Sequence, residues 1–123
     1  MAKIKQILKI PVIANGSIDE NNFSNVVEKS GANGVMIGRG AIGKPWIFGI
    51  LKGQKEPNAA QKKQIILEHF NLAVEFYEKY AVAMMRKHLH EYSKGLDRAP
   101  VFRTKINHEQ DPDAVLKLID EFF

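Results

Sequence analysis

Apolar positions follow two patterns along the chain: short continuous runs near its start and helical periodicities in its second half. Residues 10–14 and 34–37 are apolar runs that each end in a glycine-containing turn, and they predict two buried strands. Between them, residues 19–30 carry apolar side chains at helical spacing, and residues 45–51 predict a short helix after the second turn. This order predicts a βαβα unit with parallel strands and a right-handed crossover.

The second half of the chain is typical of an all-helical segment. Apolar residues recur at helical spacing over 58–79 and 81–94, and two shorter helices are predicted to begin near Pro100 and Pro112. The side chains expected to form the core of this assembly are Ile66, Phe70, Ala73, Val74, Tyr77, Ala81, Met84, Met85, Leu89, Tyr92, Val101, Phe102, Ile106, Val115, Leu116, Ile119, Phe122 and Phe123.

Residues that favour helix ends lie where the periodicities begin and stop. Asp19, Asn58 and Asp111 can each accept a hydrogen bond from the first turn of a helix, and they are predicted N-caps. Gly31 and Gly95 follow the last periodic positions, where a left-handed residue commonly ends a helix.

A linker separates the two patterns. Residues 53–57, Gly-Gln-Lys-Glu-Pro, combine glycine, proline and polar side chains without apolar periodicity. We therefore expect two domains, residues 1–53 and residues 58–123, the first of the α/β class and the second a small helical bundle.

The two turns after the predicted strands form a candidate phosphate site. Residues 15–17, Asn-Gly-Ser, follow the first strand, and residues 38–40, Gly-Arg-Gly, follow the second. Glycines allow backbone N–H groups to approach an oxyanion closely, and the side chain of Arg39 adds a full positive charge. Because neighbouring parallel strands end at the same edge, both turns are expected together. On the glycines alone, a strand–turn–helix junction that binds nothing is the plainer interpretation.

Basic residues outnumber acidic ones, and the excess is local. The formal net charge is +4, from 18 Lys and Arg against 14 Asp and Glu. Residues 58–123 hold 10 of each, yet residues 79–105 hold seven basic residues against Glu91 and Asp97. Such a cluster is a candidate polyanion surface, although an ordinary solvated lysine face is the commoner meaning. The seven are Lys79, Arg86, Lys87, Lys94, Arg98, Arg103 and Lys105.

The composition excludes several kinds of site. The chain has no cysteine, so a disulfide, a thiolate metal site and a cysteine nucleophile are all excluded. His88 and His90 lie on different faces of one predicted helix, and with His69 and His108 they are interpreted as surface or core-edge residues, so no metal site is predicted. No apolar run is long enough to span a membrane and the sequence shows no signal-peptide pattern, so no membrane partner is expected.

Several stretches resemble the tRNA-dihydrouridine synthase family. Residues 10–16 and 31–46 resemble the end of that family's flavin barrel, and residues 86–96 and 102–107 resemble its C-terminal helical domain. The resemblance implies an α/β fragment, the βαβα end of a TIM barrel, followed by an all-α helical bundle, mostly helical overall. A complete barrel needs roughly 250 residues, so we expect a C-terminal portion of a longer protein.

The resemblance also implies an activity and a cofactor. The family reduces uridine to dihydrouridine in tRNA, with FMN as the bound flavin and NADPH as the reductant, and a cytoplasmic location is implied. Gly16, Gly38, Arg39 and Gly40 would hold the FMN phosphate, and Asn15 and Ser17 would contact the ribityl chain or the phosphate. Ser17 replaces the acidic residue expected after Asn-Gly. The family's catalytic cysteine has no counterpart, so no catalytic residue is assigned, and these residues alone are expected to be inactive and to bind FMN weakly.

For the helical domain the resemblance implies tRNA binding. The residues expected to contact RNA phosphates are Arg86, Lys87, Lys94, Arg98, Arg103 and Lys105. Two alternatives stay open: a stand-alone helical RNA-binding module without redox activity, and the tail of another FMN-barrel oxidoreductase. The predicted strands are built for burial on both faces, so their exposed edges favour a homo-oligomer.

Overall fold

The computed structural model describes residues 2–123, which are mostly helical and contain one two-stranded parallel sheet. The elements in chain order are α1 (Ala2–Ile7), β1 (Ile13–Asn15), α2 (Phe23–Ser30), β2 (Gly34–Met36), α3 (Ile47–Leu51), α4 (Ala59–Tyr77), α5 (Ala81–Tyr92), α6 (Ala99–His108) and α7 (Pro112–Phe122). The chain forms two compact units, of which the first ends at Glu56 and the second begins at Pro57.

The first unit contains the predicted parallel pair. Strands β1 and β2 are parallel, with Ile13 opposite Gly34 and Asn15 opposite Met36. Val12 and Asn33 directly precede the paired residues and bond to each other: the Val12 N–H donates to Asn33 Oδ1 (2.9 Å) and the Asn33 N–H donates to the Val12 carbonyl (2.8 Å). Helix α2 connects the two strands, so both strand ends lie at one edge of the sheet.

The bounds of these elements differ from the predicted ones in ways that local chemistry explains. Strand β1 begins at Ile13 rather than at residue 10, because Pro11 has no N–H to donate to a ladder. Helix α2 begins at Phe23, and Asp19 instead caps the turn before it, accepting from the N–H groups of Asn21 and Asn22. The predicted end at Gly31 is confirmed, with φ 62°.

The second unit is an assembly of four helices with well-defined ends. The prediction that Asn58 caps α4 is confirmed: its side chain accepts from the Gln61 N–H, and the Gln61 side chain accepts from the Asn58 N–H. The Asp111 carboxylate caps α7 through the Ala114 N–H (3.0 Å). Helices α4 and α5 are separated at Glu78, which has φ 49°.

The core of this unit follows the predicted faces, with three exceptions. The largest fully buried side chains on the four helices are Ile66, Phe70, Met85, Leu89, Ile106, Val115 and Ile119. Tyr77, Met84 and Val101 were predicted to be buried, and this is wrong, since each is exposed. Tyr77 is the last residue of α4, while Met84 and Val101 lie beside rather than on the faces centred on Met85 and Phe102.

No helix within residues 2–123 is both long enough and apolar enough to cross a bilayer. The first residue of the predicted α/β domain, Met1, lies outside the described residues.

Candidate functional site

The structure brings the two glycine turns together at one edge of the sheet. Asn15 is the last residue of β1 and is followed by Gly16 and Ser17, while residues 38–40 follow β2, so the paired strand ends place both turns at that edge. The closest approach is at Gly40, where an added Cβ would lie 2.9 Å from the Ile18 carbonyl oxygen. Only a residue without a side chain allows this packing, so Gly40 joins the two loops.

The other glycines of the pair of turns face open space. A Cβ at Gly16 or Gly38 would meet no other atom of the described residues within 4 Å. Gly16 has φ 125°, a conformation that favours glycine, and Ser17 beside it has φ 48°. The Ser17 carbonyl accepts from the Asn22 side chain (2.7 Å), which holds the exposed turn in place. The edge therefore offers backbone groups to a ligand without steric obstruction.

Of two basic residues at this edge, Lys44 is paired with an acidic side chain and Arg39 is exposed. Lys44 forms an ion pair with Glu20, so its charge is compensated by the loop that follows β1. Arg39 is exposed and begins a single 3-10 turn, Arg39–Ala41, that follows β2. An exposed guanidinium next to open glycine backbone is suited to a phosphate, because it can donate two parallel hydrogen bonds to it.

In the helical unit, Arg86 has a role that the sequence did not reveal. Its Nε donates to the Ile106 carbonyl (3.3 Å) and its Nη2 donates to the Glu109 carbonyl (3.0 Å). These carbonyls lie at the C-terminal end of α6, where the last turn leaves its oxygens unsatisfied. Arg86 is half-buried, and through these two hydrogen bonds it links α5 to the C-terminal end of α6.

Arg103 is held in the same seam between α5 and α6. Its Nε donates to Ser93 Oγ (3.1 Å), and that fully buried hydroxyl donates to the His90 carbonyl (2.9 Å). One turn away, His90 Nε2 and Asn107 Oδ1 lie 2.9 Å apart. The seam thus combines Arg86, His90 and Arg103 in one row of polar contacts.

The other four of the six predicted RNA contacts are exposed. Lys87 lies on α5, and Lys94 lies two residues beyond the end of that helix, 3.7 Å from Glu91. Arg98 and Lys105 line a groove between α6 and α7.

A histidine pair between α4 and α5 was not predicted. His69 Nδ1 lies 3.0 Å from the Tyr92 hydroxyl, and the His69 and His88 rings meet edge to face at 4.9 Å. Burial lowers the pKa of His69 and also that of His88, whose pKa is lowered further by the neighbouring His69 and Lys87. Burial raises the pKa of the Tyr92 hydroxyl to about 12. Within residues 2–123, no group of three or more His, Cys, Asp or Glu side chains is arranged to hold a metal ion.

Comparison with known proteins gives a consistent result over the whole chain. The family model described as dihydrouridine synthase matches residues 1–123. A probable tRNA-dihydrouridine synthase from Helicobacter pylori is 44% identical over all of this chain and 38% of its own length. One from Rickettsia typhi is 42% identical over 98% of this chain and 39% of its own length. A tRNA-dihydrouridine synthase B from Xanthomonas axonopodis pv. citri is 38% identical over all of this chain and 40% of its own length.

The chain therefore spans about two fifths of the length of these relatives. Because the family match extends from the first residue to the last, it covers the α/β unit and the helical unit alike. The chain belongs to the dihydrouridine synthase family.

Proposed function

We propose that these residues supply the phosphate side of an FMN site and a tRNA-binding surface in an enzyme that reduces uridine to dihydrouridine in tRNA. The observation that carries the proposal is the close packing of Gly40, in the second glycine turn, against the carbonyl of Ile18, which directly follows the first glycine turn. That arrangement is typical of phosphate sites after neighbouring strands of flavin barrels. An enzyme acting on tRNA would work in the cytoplasm.

The residues present fit the phosphate end of FMN. Gly16 and Gly38 leave open space where a phosphate can approach the backbone, and Arg39 is exposed beside them. Asn15 and Ser17 would donate to the phosphate or to the ribityl hydroxyls from the neighbouring turn. When bound, FMN would supply the redox chemistry, with NADPH as the source of hydride and a uridine of tRNA as its acceptor.

The strands fit a place in a larger barrel. Parallel sheets are normally covered on both faces, yet Ile13 and Met36 are 54% and 58% exposed. Ile10, just before β1, is exposed as well. We propose that further strands of the same barrel cover these side chains, so that residues 1–53 form part of the FMN-binding barrel and residues 58–123 the helical tRNA-binding domain.

For tRNA, the contacts divide five of the six basic residues by role. Lys87, Lys94 and Lys105 are exposed and retain flexible ammonium groups that can neutralise phosphates. Arg86 and Arg103 already donate to protein acceptors, so they position the α5–α6 seam and add only their remaining N–H groups to an RNA contact. We propose that Lys87 on α5 and Lys94, just beyond its end, carry the main phosphate contacts.

Titration of FMN tests the cofactor part. The purified chain should bind FMN weakly, and Arg39→Gln should weaken that binding further, because the guanidinium supplies the charge for the phosphate. Lys52→Gln is the matched control, since it removes one positive charge from an exposed residue of the same unit. Tight stoichiometric binding would contradict a site limited to the phosphate side, and equal effects of the two variants would contradict a role for Arg39.

Charge reversal tests the RNA part. The double variant Lys87→Glu, Lys94→Glu should abolish a mobility shift with tRNA and reduce the dependence of affinity on salt. Lys117→Glu is the control, because it reverses an exposed lysine on α7 of the same unit. Loss of binding in the control alone would locate the RNA surface on α7.

A further inference from the structure

The turn between α4 and α5 presents unusually exposed aromatic side chains. Phe76 is 80% exposed and Tyr80 is 62% exposed. Leu72, one helical turn before Phe76, and Met84, one turn after Tyr80, are exposed as well. Neither aromatic contributes to the buried face of Ile66, Phe70 and Ala73, so the core does not account for them.

The geometry of this turn is fixed although it contains neither glycine nor proline. Glu78 has φ 49°, a conformation that side chains other than glycine rarely adopt. Its N–H donates to the Val74 carbonyl, and the Ala81 N–H donates to the Glu78 carbonyl. The Phe76 ring packs edge to face on Tyr77 at 4.9 Å. The backbone of the turn therefore fixes the positions from which Phe76 and Tyr80 project.

The turn continues into α5, which carries Lys87, one of the proposed phosphate contacts; Lys94, the other, lies two residues beyond the end of the helix. Tyr80 directly precedes α5, and Tyr80, Met84 and Lys87 recur at intervals of four and three residues, so they lie along one side of the helix. With a rise of ~1.5 Å per residue, Tyr80 lies ~10 Å along the helix axis from Lys87. The Lys79 ammonium lies 5.1 Å from the centre of the Tyr80 ring, and Glu75 and Glu78 outweigh its single positive charge.

We propose that Phe76 and Tyr80 form a stacking platform for an unpaired nucleobase of an RNA whose phosphates contact Lys87 and Lys94. The proposal rests on the proposed tRNA-binding function and adds the kind of RNA element that is read. Unpaired bases stack on aromatic side chains, and such stacking accepts any base. Because the turn carries no excess of positive charge, its contribution to binding is stacking rather than counterion release, whereas the lysines contribute the salt-dependent part.

Binding of tRNA and of a fully paired RNA duplex, each measured by fluorescence anisotropy over a range of salt concentrations, tests the proposal on the full chain. Phe76→Ala and Tyr80→Ala should each weaken tRNA binding by about 10-fold with an unchanged salt slope. Neither should change binding of the duplex, which offers no unpaired base. Phe76→Leu keeps an apolar side chain without a ring and should behave like Phe76→Ala, whereas Phe76→Trp should bind as the parent chain does.

The control variant is Val101→Ala, which removes a similarly exposed apolar side chain from α6. The platform is refuted if the aromatic variants bind tRNA as tightly as Val101→Ala, or if they lose duplex binding equally. It is also refuted if they change only the molecular mass in solution, which would make the turn a protein contact. If the lysine reversals leave tRNA binding intact while Phe76→Ala weakens it, the proposed phosphate contacts fail and the platform stands. If the parent chain binds neither RNA, both proposals fail.

Discussion

Replacing Gly40 with alanine tests whether close backbone packing locks the two strand-end loops together. The added Cβ would lie 2.9 Å from the Ile18 carbonyl oxygen and 3.3 Å from Ile37 Cγ2. Ordinary contacts of this kind are ~3.5 Å or longer, so the loops must separate by about 0.5 Å. Because the close neighbour is a backbone oxygen, a side-chain rotation cannot relieve the clash.

The expected loss of stability follows from two opposing terms. Overpacking a closely packed site costs about 1–3 kcal/mol. Alanine restricts the unfolded chain more than glycine does, which returns about 0.4–1 kcal/mol. The net loss is therefore about 1–2 kcal/mol, or roughly tenfold in the equilibrium between the folded and opened unit.

Hydrogen exchange measures this loss in the α/β unit alone. The amides of Val12 and Asn33 are suitable probes, because each donates to the other residue across the sheet. Both should exchange about tenfold faster in Gly40→Ala. In Gly38→Ala the new Cβ meets no described atom within 4 Å, so exchange should stay close to that of the parent chain. Equal exchange rates in the two variants would refute the inference that Gly40 locks the loops.

Three further outcomes are expected. Arg86→Lys should lower the free energy of unfolding of the helical unit, measured in urea, by about 1–2 kcal/mol, because an ammonium group cannot donate to both carbonyls at the end of α6 in the way the guanidinium does. Lys87→Arg is the control. Equal stability of the two variants would refute the stabilising role of Arg86. The thermal midpoint should fall as pH is lowered through 6.5, because the pKa values of His69 and His88 are lowered in the folded chain and the unfolded chain therefore binds these protons more readily. His88→Gln should reduce this fall, and His108→Gln is the control that should not. If the fall is unchanged in both variants, the histidine pair is not its source. Light scattering behind a sizing column should give a mass above that of one chain, since the sheet leaves apolar side chains exposed; a single-chain mass at high concentration would contradict this.

Local signals predicted the helical unit well. Asn58 and Asp111 cap α4 and α7 as expected, because capping depends on a side chain and the N–H groups two or three residues beyond it. The break near residue 79 was also visible, since the apolar period changes phase there. Its mechanism, a non-glycine residue at positive φ, was not visible, because Glu78 carries no sequence signal for that conformation.

The features that the sequence did not predict depend on contacts between residues far apart along the chain. The contact of Gly40 with Ile18 depends on the parallel pairing of β1 and β2, so the glycine pattern alone could not separate a close-packed glycine from open ones such as Gly16. Likewise, the exposure of Phe76 depends on which face of α4 the other helices cover. The sequence does show that Phe76 lies off the helix face that carries Ile66 and Phe70. This indicates an exposed side chain only once that face is known to be the buried one.

The basic residues show how side-chain chemistry, rather than charge count, divides a surface. Arg86 and Arg103 bind acceptors within the protein, while Lys87 and Lys94 remain exposed, although all four count equally toward net charge. A guanidinium donates in several fixed directions and is weakly hydrated, so it can join two helices and still remain charged. An ammonium group is strongly hydrated and mobile, so it stays in solvent and exchanges counterions readily. The α5–α6 seam is therefore held by arginines, and we expect their loss to lower stability, whereas loss of the lysines should weaken the proposed RNA binding and lower its dependence on salt.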